Sequence, residues 1–297
     1  MRRRVRRAVA YLARRLRGAW TAGQFALVSV IAAVLWSVAA AAPAAGTSSV
    51  KPAEPVVMKP SVPSAGIPFG GTPAVGALFT ISDGKLGMHF CTASVAASAA
   101  GDLLVTAAHC VSGYSAARPA NLAFVPGYDN GTAPYGVWVV TRILVDSAWS
   151  SGADPDDDLA FLVVAPHGGN MSIEDVTGAE RLSASQPSAG IVRVIGYPDT
   201  QNQPISCQNA ITAFEPGQLE FDCADFTDGT SGGPFLIDVD PATGNGTVVG
   251  VIGGYQQGGD SPAVSYAAMF GQNVLSLYVT AQWDSARPDT AQSVGLR

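Results

Sequence analysis

The chain has 297 residues, 47% hydrophobic and 13% charged, with 33 Gly and 20 Pro; this suits one or two globular domains rather than low-complexity disorder. The net charge of −6 hides two unlike parts: eight Arg precede Gly18 and no acid precedes Glu54, so the head is +8, while the remaining nine cations against 23 acids leave −14. Cations scattered over so acidic a body form no basic stripe for phosphates, so nucleic-acid binding is not expected. With four Cys and three His, neither a metal nor a cofactor is expected.

The Arg-rich head runs into an uncharged stretch from Gly18 to Val50, whose most apolar part is Phe25 to Ala42, FALVSVIAAVLWSVAAAA. That length is near the lower limit for a membrane span. A basic start, an apolar middle and the small residues Ala40 to Ala45 make residues 1–45 a secretory signal, cut near Ala44 or Ala45. The alternative is an uncleaved anchor with its Arg side cytoplasmic. Either way the body is expected outside the cytoplasm, secreted or tethered to the outer face of the cell membrane. Residues 46–68, Pro-rich among small residues and without periodicity, read as a linker or pro-segment. The folded domain is expected over 69–297.

Short β-rich runs follow, bounded by Gly, Pro, Asn or Asp. They are Val75 to Ile81, His89 to Ala96, Leu103 to Ala107, Val137 to Val145, Leu159 to Val164, Ile191 to Gly196, Gly217 to Phe221, Gly233 to Asp238, Thr247 to Ile252 and Val264 to Ala268. This spacing predicts an all-β antiparallel sandwich or barrel rather than βαβ units. One helix is predicted, Gln272 to Gln282, where Val274, Leu275, Tyr278 and Ala281 recur at helical spacing.

The cysteines stand at 91, 110, 207 and 223. In an exported domain two disulfides are expected, with three connectivities open. Sequential pairing, Cys91–Cys110 and Cys207–Cys223, closes short loops worth roughly 3 kcal/mol each in the chain-entropy model. Paired Cys-x-x-Cys spacing for zinc is absent.

Three His make the search for a general base short. His89 and His167 have nothing catalytic beside them and read as ordinary strand or turn residues. His109 closes LLVTAAHC, an apolar strand ending in small residues and a cysteine, which would hold an imidazole rigidly at a strand end. Gly229-Thr230-Ser231-Gly232-Gly233-Pro234 lets backbone fold tightly around Ser231, so that the amides of Gly229 and Ser231 can converge on a developing oxyanion. A plain Gly-rich turn would carry the same letters. The elbow of α/β-hydrolases would need a His after the Ser, and none follows His167. Among Asp154, Asp156, Asp157 and Asp158, the first three are expected to be solvated. Asp158 abuts the apolar run LAFL, where its carboxylate could turn inward and orient His109. A calcium loop at Asp154 and Asp156 has no supporting ligand spacing.

TAAHC, DDDLAFL and GTSGGP, in the order His, Asp, Ser, resemble the trypsin-like (chymotrypsin-fold) serine proteases, most of all the short bacterial branch related to glutamyl endopeptidases. The likeness spans residues 69 to 283 and takes in VGALF, CTASV, the GYP at Gly196 to Pro198 and VVGVIGG. It implies two six-stranded antiparallel β-barrels with a cleft between them and a C-terminal helix. It implies a serine endopeptidase acting on polypeptides as a monomer, without cofactor. His109 would be the base, Asp158 its orienter and Ser231 the nucleophile, with the amides of Gly229 and Ser231 as the oxyanion hole. A protease-fold binding protein without turnover is the alternative, although such relatives usually have a triad position replaced.

Two departures from the family pattern matter. Trypsin carries Asp before its nucleophile, to pair with a freshly cut N-terminus; here Thr230 has no charge, and no IVGG-like start follows the linker. Removal of the segment before Phe69 is therefore not expected to be required for forming the oxyanion hole. The substrate pocket is the other departure. Asp225 lies at the offset of trypsin's pocket acid, where it would favour Arg or Lys, though an exposed loop Asp reads equally well. The glutamyl branch has a His where Ile252 stands, so glutamate preference is disfavoured. Gly253, Gly254 and Ala263 would leave the pocket without bulky or charged groups.

Overall fold

Apolar runs flanked by turn residues build two β-layers. The computed structural model describes residues 64–114, 121–166, 171–183 and 185–286; the expected signal or anchor, residues 46–63 and His167 lie outside them. The first layer comprises β2 (Val75–Ser82), β3 (Lys85–Ala96), β4 (Leu103–Thr106), β5 (Leu122–Pro126), β6 (Trp138–Val145) and β7 (Ala160–Val164). They close into a barrel of order β2-β3-β4-β7-β6-β5, with β5 paired back onto β2. β4, β5 and β7 are buried along their whole length, which accounts for continuous apolar runs instead of alternation.

The second layer is an eight-stranded sheet. β1 (Ile67–Pro68) joins β8 (Arg181–Leu182), β9 (Ala189–Gly196), β10 (Ile205–Phe214), β11 (Gln218–Asp222), β12 (Pro234–Ile237), β13 (Thr247–Val251) and β14 (Val264–Ala268). Its order is β14-β11-β10-β9-β12-β13-β8, with β1 on β10. It curls until Gly253, just past β13, donates its N–H to Tyr266 O of β14 at 3.0 Å. Relative to two six-stranded barrels, one closes as expected and the other is a curled half-barrel. Its ladder stays open where the chain turns at Gly254 (φ 76°), and β8 adds to its far edge in parallel with β13.

Four strands carry no clear signal in the sequence. β10 reads ISCQNAITAF and is buried only at intervals, with Asn209 and Ala210 diluting its β-propensity. β5 is short, and β1 and β8 have two residues each. Because Ile67 and Pro68 pair with Ser206 and Ile205, the folded body begins at least as early as Ser64, ahead of the expected boundary at Phe69. Two short helices are also unforeseen, α1 (Ser147–Gly152) capped by Asp146 and α2 (Ile173–Thr177) with a Ser172–Asp175 capping box. The last helix, α3 (Gln272–Ser285), runs three residues beyond its predicted end. It packs on the first barrel, where the Tyr278 hydroxyl donates to Ala97 O and its ring lies 5.5 Å from that of Phe161. Among the described residues no helix is long and apolar enough to cross a membrane.

Disulfides join Cys91 to Cys110 and Cys207 to Cys223. The first ties β3 to the turn that carries His109, and the second ties β10 to the chain leaving β11.

The segment between the layers buries Glu180 completely. One carboxylate oxygen accepts the Gly246 N–H and the other finds no partner among the described residues. Burial raises its pKa from 4.5 to about 7, against the opposing pull of the Gly246 bond, Arg193 and Arg181. A carboxyl raised on folding lends stability that is fully present below pH 4.5 and lost as pH climbs through about 7. In urea melts, Glu180→Gln should flatten this part of the pH dependence and gain up to roughly 3 kcal/mol over the parent above pH 8. Parallel curves for the two proteins would contradict it.

Candidate active site

At the end of β4 the chain enters a single 3-10 turn, His109–Val111, held by a bond from Val111 N–H to Ala108 O and by the disulfide at Cys110. The turn points the His109 ring at Asp158. His109 Nδ1 donates to Asp158 Oδ2 at 2.8 Å, and the His109 backbone N–H donates to Oδ1 at 2.8 Å. A third N–H, from Gly254, reaches Oδ2 at 2.9 Å. The Asp158 side chain is wholly buried and that of His109 is 13% exposed. Three N–H donors offset the desolvation of a carboxylate that would otherwise be costly to bury. With Nδ1 donating, Nε2 faces the cleft as a proton acceptor.

The loop around Ser231 is built by close backbone contact. Gly229 has φ 91°, and a Cβ there would stand 2.4 Å from Asp199 N and 2.5 Å from Tyr197 O. Gly232 has φ 81°, and a Cβ there would meet Thr106 Oγ1 and Thr92 O at 2.2 Å. Both sites therefore demand glycine. Thr230 is buried, its hydroxyl donating to Thr227 O at 2.7 Å. The amides of Gly229 and Ser231 find no protein acceptor among the described residues. Both residues line the cleft, and an unpaired amide there can stabilise negative charge.

Thr92, wholly buried on β3, binds this loop to the first barrel. Its hydroxyl donates to Gly229 O at 3.0 Å and accepts the Tyr197 N–H at 2.9 Å. Its own N–H donates to Ser231 O at 2.7 Å, and its carbonyl accepts the Thr106 hydroxyl at 2.7 Å. Sequence reasoning missed Thr92, because one polar residue in an apolar strand carries no signature. Gly254 reads from the sequence as a pocket residue; its N–H bond to Asp158, distant in the chain, leaves no local signature.

His109 and Ser231 line one cleft of about 830 Å³. Phe90, Phe226, Ile252 and Pro262 give it apolar surface, and Asp199, Asp228 and Asp260 line it, with no Lys or Arg among the described lining residues. Of the expected pocket residues, Ile252 is there. Asp225 is exposed at φ 74° and is not a lining residue; the neighbouring Phe226 faces the cleft instead. Gly253 and Gly254 sit behind the wall: a Cβ on Gly253 would lie 3.0 Å from Asp158 Oδ2. They serve the carboxylate, not the pocket. Ala263 does not line the cleft either.

The remaining acids separate. Asp154 caps the 3-10 turn Pro155–Asp157, and Asp156 accepts the Gln218 side-chain amide at 2.6 Å. Asp157, expected in solvent, is buried beside α3, where Asn273 donates to it at 3.2 Å. Burial raises its pKa, with the Asn273 bond opposing. His89 packs among Phe79 and Tyr128, and its Nε2 donates to Gln201 O at 3.0 Å. Burial lowers its pKa, which keeps it neutral. It lies outside the cleft lining.

A two-layer β fold whose cleft joins an Asp-paired imidazole to a glycine-framed serine defines a serine-type peptidase. The chain belongs to the trypsin-like peptidases: the family model for the trypsin-like peptidase domain matches residues 91–251, more than half its length. Among solved structures it resembles the protease Anisep from Arthrobacter nicotinovorans, with TM-score 0.63, 24% identity, 74% of this chain and 100% of that one covered. It also resembles the thermostable serine protease AL20 from an extremophilic microorganism (TM-score 0.59, 23% identity, 73% and 99% covered). A Glu endopeptidase bound to MPD follows at TM-score 0.55 and 16% identity, with 74% and 97% covered. At these identities the likeness concerns the fold. A search of curated protein sequences finds no match.

Three carboxylates, with no Lys or Arg among the described lining residues, give the cleft a negative field that weakens with salt. Peptides with Lys or Arg flanking the scissile bond should have higher kcat/KM than matched Glu peptides, and the gap should narrow between 0.02 and 0.5 M salt in steady-state assays, at about the scale set by screening. Asp228→Asn should narrow it too. Equal rates for the two peptide sets would count against the field.

Proposed function

We propose that this trypsin-like peptidase is an exported serine endopeptidase working through an acyl-enzyme. Ser231 Oγ attacks the substrate carbonyl while His109 Nε2 takes its proton. Asp158 holds the imidazole in the required tautomer and stabilises the imidazolium. The amides of Gly229 and Ser231 hold the tetrahedral oxyanion, whose collapse expels the amine after His109 returns the proton. Water then repeats the attack on the Ser231 ester, again with His109 as base, and releases the acid. The reading rests chiefly on the 2.8 Å bond from His109 Nδ1 to Asp158 Oδ2 in the cleft that also contains Ser231. The two disulfides support work outside the reducing cytoplasm. The Arg-rich head and its apolar run support export through a cleaved signal, giving a secreted protein. One chain contributes every group the reaction uses, which supports action as a monomer.

Two measurements test this. A fluorophosphonate should label the protein at Ser231, and Ser231→Ala should abolish labelling and cut kcat by ~10⁴–10⁶-fold; persisting turnover would defeat the mechanism. Sequencing the N-terminus of the extracellular protein should find a start near residue 45. An intact Arg-rich head on membrane-bound material would replace the secreted form with the tethered one.

A further inference from the structure

The run from Ser64 to Phe69 is bound to the second sheet mainly through its backbone. Gly66 N–H donates to Ala224 O at 2.9 Å, and Ala224 N–H donates to Ser64 O at 2.8 Å. Both backbone polar groups of Ala224 are thus taken by this segment. Ile67 and Pro68 pair with Ser206 and Ile205, on the near side of Cys207, and Phe69 N–H donates to Pro204 O at 3.1 Å. The Arg193 guanidinium sits over the Phe69 ring, 4.9 Å from its centroid. Ala65, Ile67 and Pro68 are exposed, so burial of their side chains explains little of the attachment.

The anchor points are the roots of both loops that meet at Gly229. Ala224 stands between Cys223, bonded to Cys207, and the chain that continues through Phe226 and Asp228 along the cleft wall. Pro204 ends the loop that begins at Tyr197 and carries Asp199. These loops touch through Asp199 N–H to Asp228 O at 2.8 Å, and Gly229 is wedged against Asp199 N and Tyr197 O. Both loops that contact Gly229 are thus tied at their roots to this segment. Thr230, tied to Thr227, leaves no carboxylate at that position for an ion pair to do the same work.

We propose that Ser64–Phe69 is a positioning strap that holds the oxyanion hole and cleft wall in working geometry from within the same chain. It rests on the roles proposed for Gly229 and Ser231. Cleavage ahead of Ser64 leaves the peptidase active, whereas cleavage inside the strap, whose Ile67 is 70% exposed, switches it off.

The test uses the full chain. Gly66→Pro removes the N–H that Ala224 accepts. Its kcat on a peptide anilide should fall by ~10–100-fold, approaching the loss of one oxyanion donor, while the acid limb of the pH–rate profile stays in place. Gly70→Ala, beside the strap with open space around its Cβ, should keep the parental kcat. Gly66→Val places a Cβ 2.6 Å from Ile205 Cδ1 and 3.2 Å from Ile205 Cβ; it should lower kcat, and adding Ile205→Ala, which removes the closer contact, should restore part of it. Thermal melts establish that each variant is folded at the assay temperature, and if Gly66→Pro is not, the Val and Ala pair decides. A folded Gly66→Pro with unchanged kcat, or a double variant that folds without regaining activity, overturns the strap. Fluorophosphonate labelling of the parent keeps the two readings apart. An unlabelled parent overturns the roles of Gly229 and Ser231 and the strap with them; a labelled parent beside unaffected Gly66 variants overturns the strap alone.

Discussion

The Asp158 carboxylate, sealed from water and held by three N–H groups, is the constraint on which the rest of the site depends. Two donors come from His109 at the end of β4 and one from Gly254, just past β13. The first barrel and the second sheet therefore share one buried charge. Removing a donor would leave a buried anion under-satisfied, at a cost of order several kcal/mol. The glycines at 253 and 254 follow from this, since a side chain at either would crowd Asp158 or Gln218.

A second set of bonds, centred on Thr92, works at the same seam. One buried threonine contacts the carbonyls of Gly229 and Ser231 and the amide of Tyr197. The Ser231 loop is thus shaped as much by a strand of the other layer as by its own glycines. With Thr230 turned onto Thr227, the loop is organised by neutral hydrogen bonds throughout. Such bonds hold across pH ranges in which an ion pair would titrate.

Much of this could be read in the residues themselves. Five of the six strands of the first barrel announce themselves as apolar runs, β5 being the exception, and the groups at 109, 158 and 231 stand in short motifs whose neighbours are small or apolar. What escaped reading depends on contacts between residues distant in sequence. Thr92 is an ordinary strand residue until its partners lie beside it. Asp225 takes the exposed-loop alternative, at a positive φ, and the neighbouring Phe226, which carries no signal of its own in the sequence, lines the cleft. Asp157 looks like its solvated neighbours until α3, over a hundred residues later, covers it. β10 was illegible because its burial is interrupted at the polar centre of the strand.

The seam also has a consequence for the order in which the molecule matures. β4 and β7, which flank His109 and Asp158, pair directly with each other, whereas Ser231 and Gly254 arrive only after most of the second sheet has been made. Until then Asp158 lacks its third donor. On the mechanism proposed above, a half-made chain therefore has its base and carboxylate but no nucleophile, and gains the power to cut only late in its synthesis.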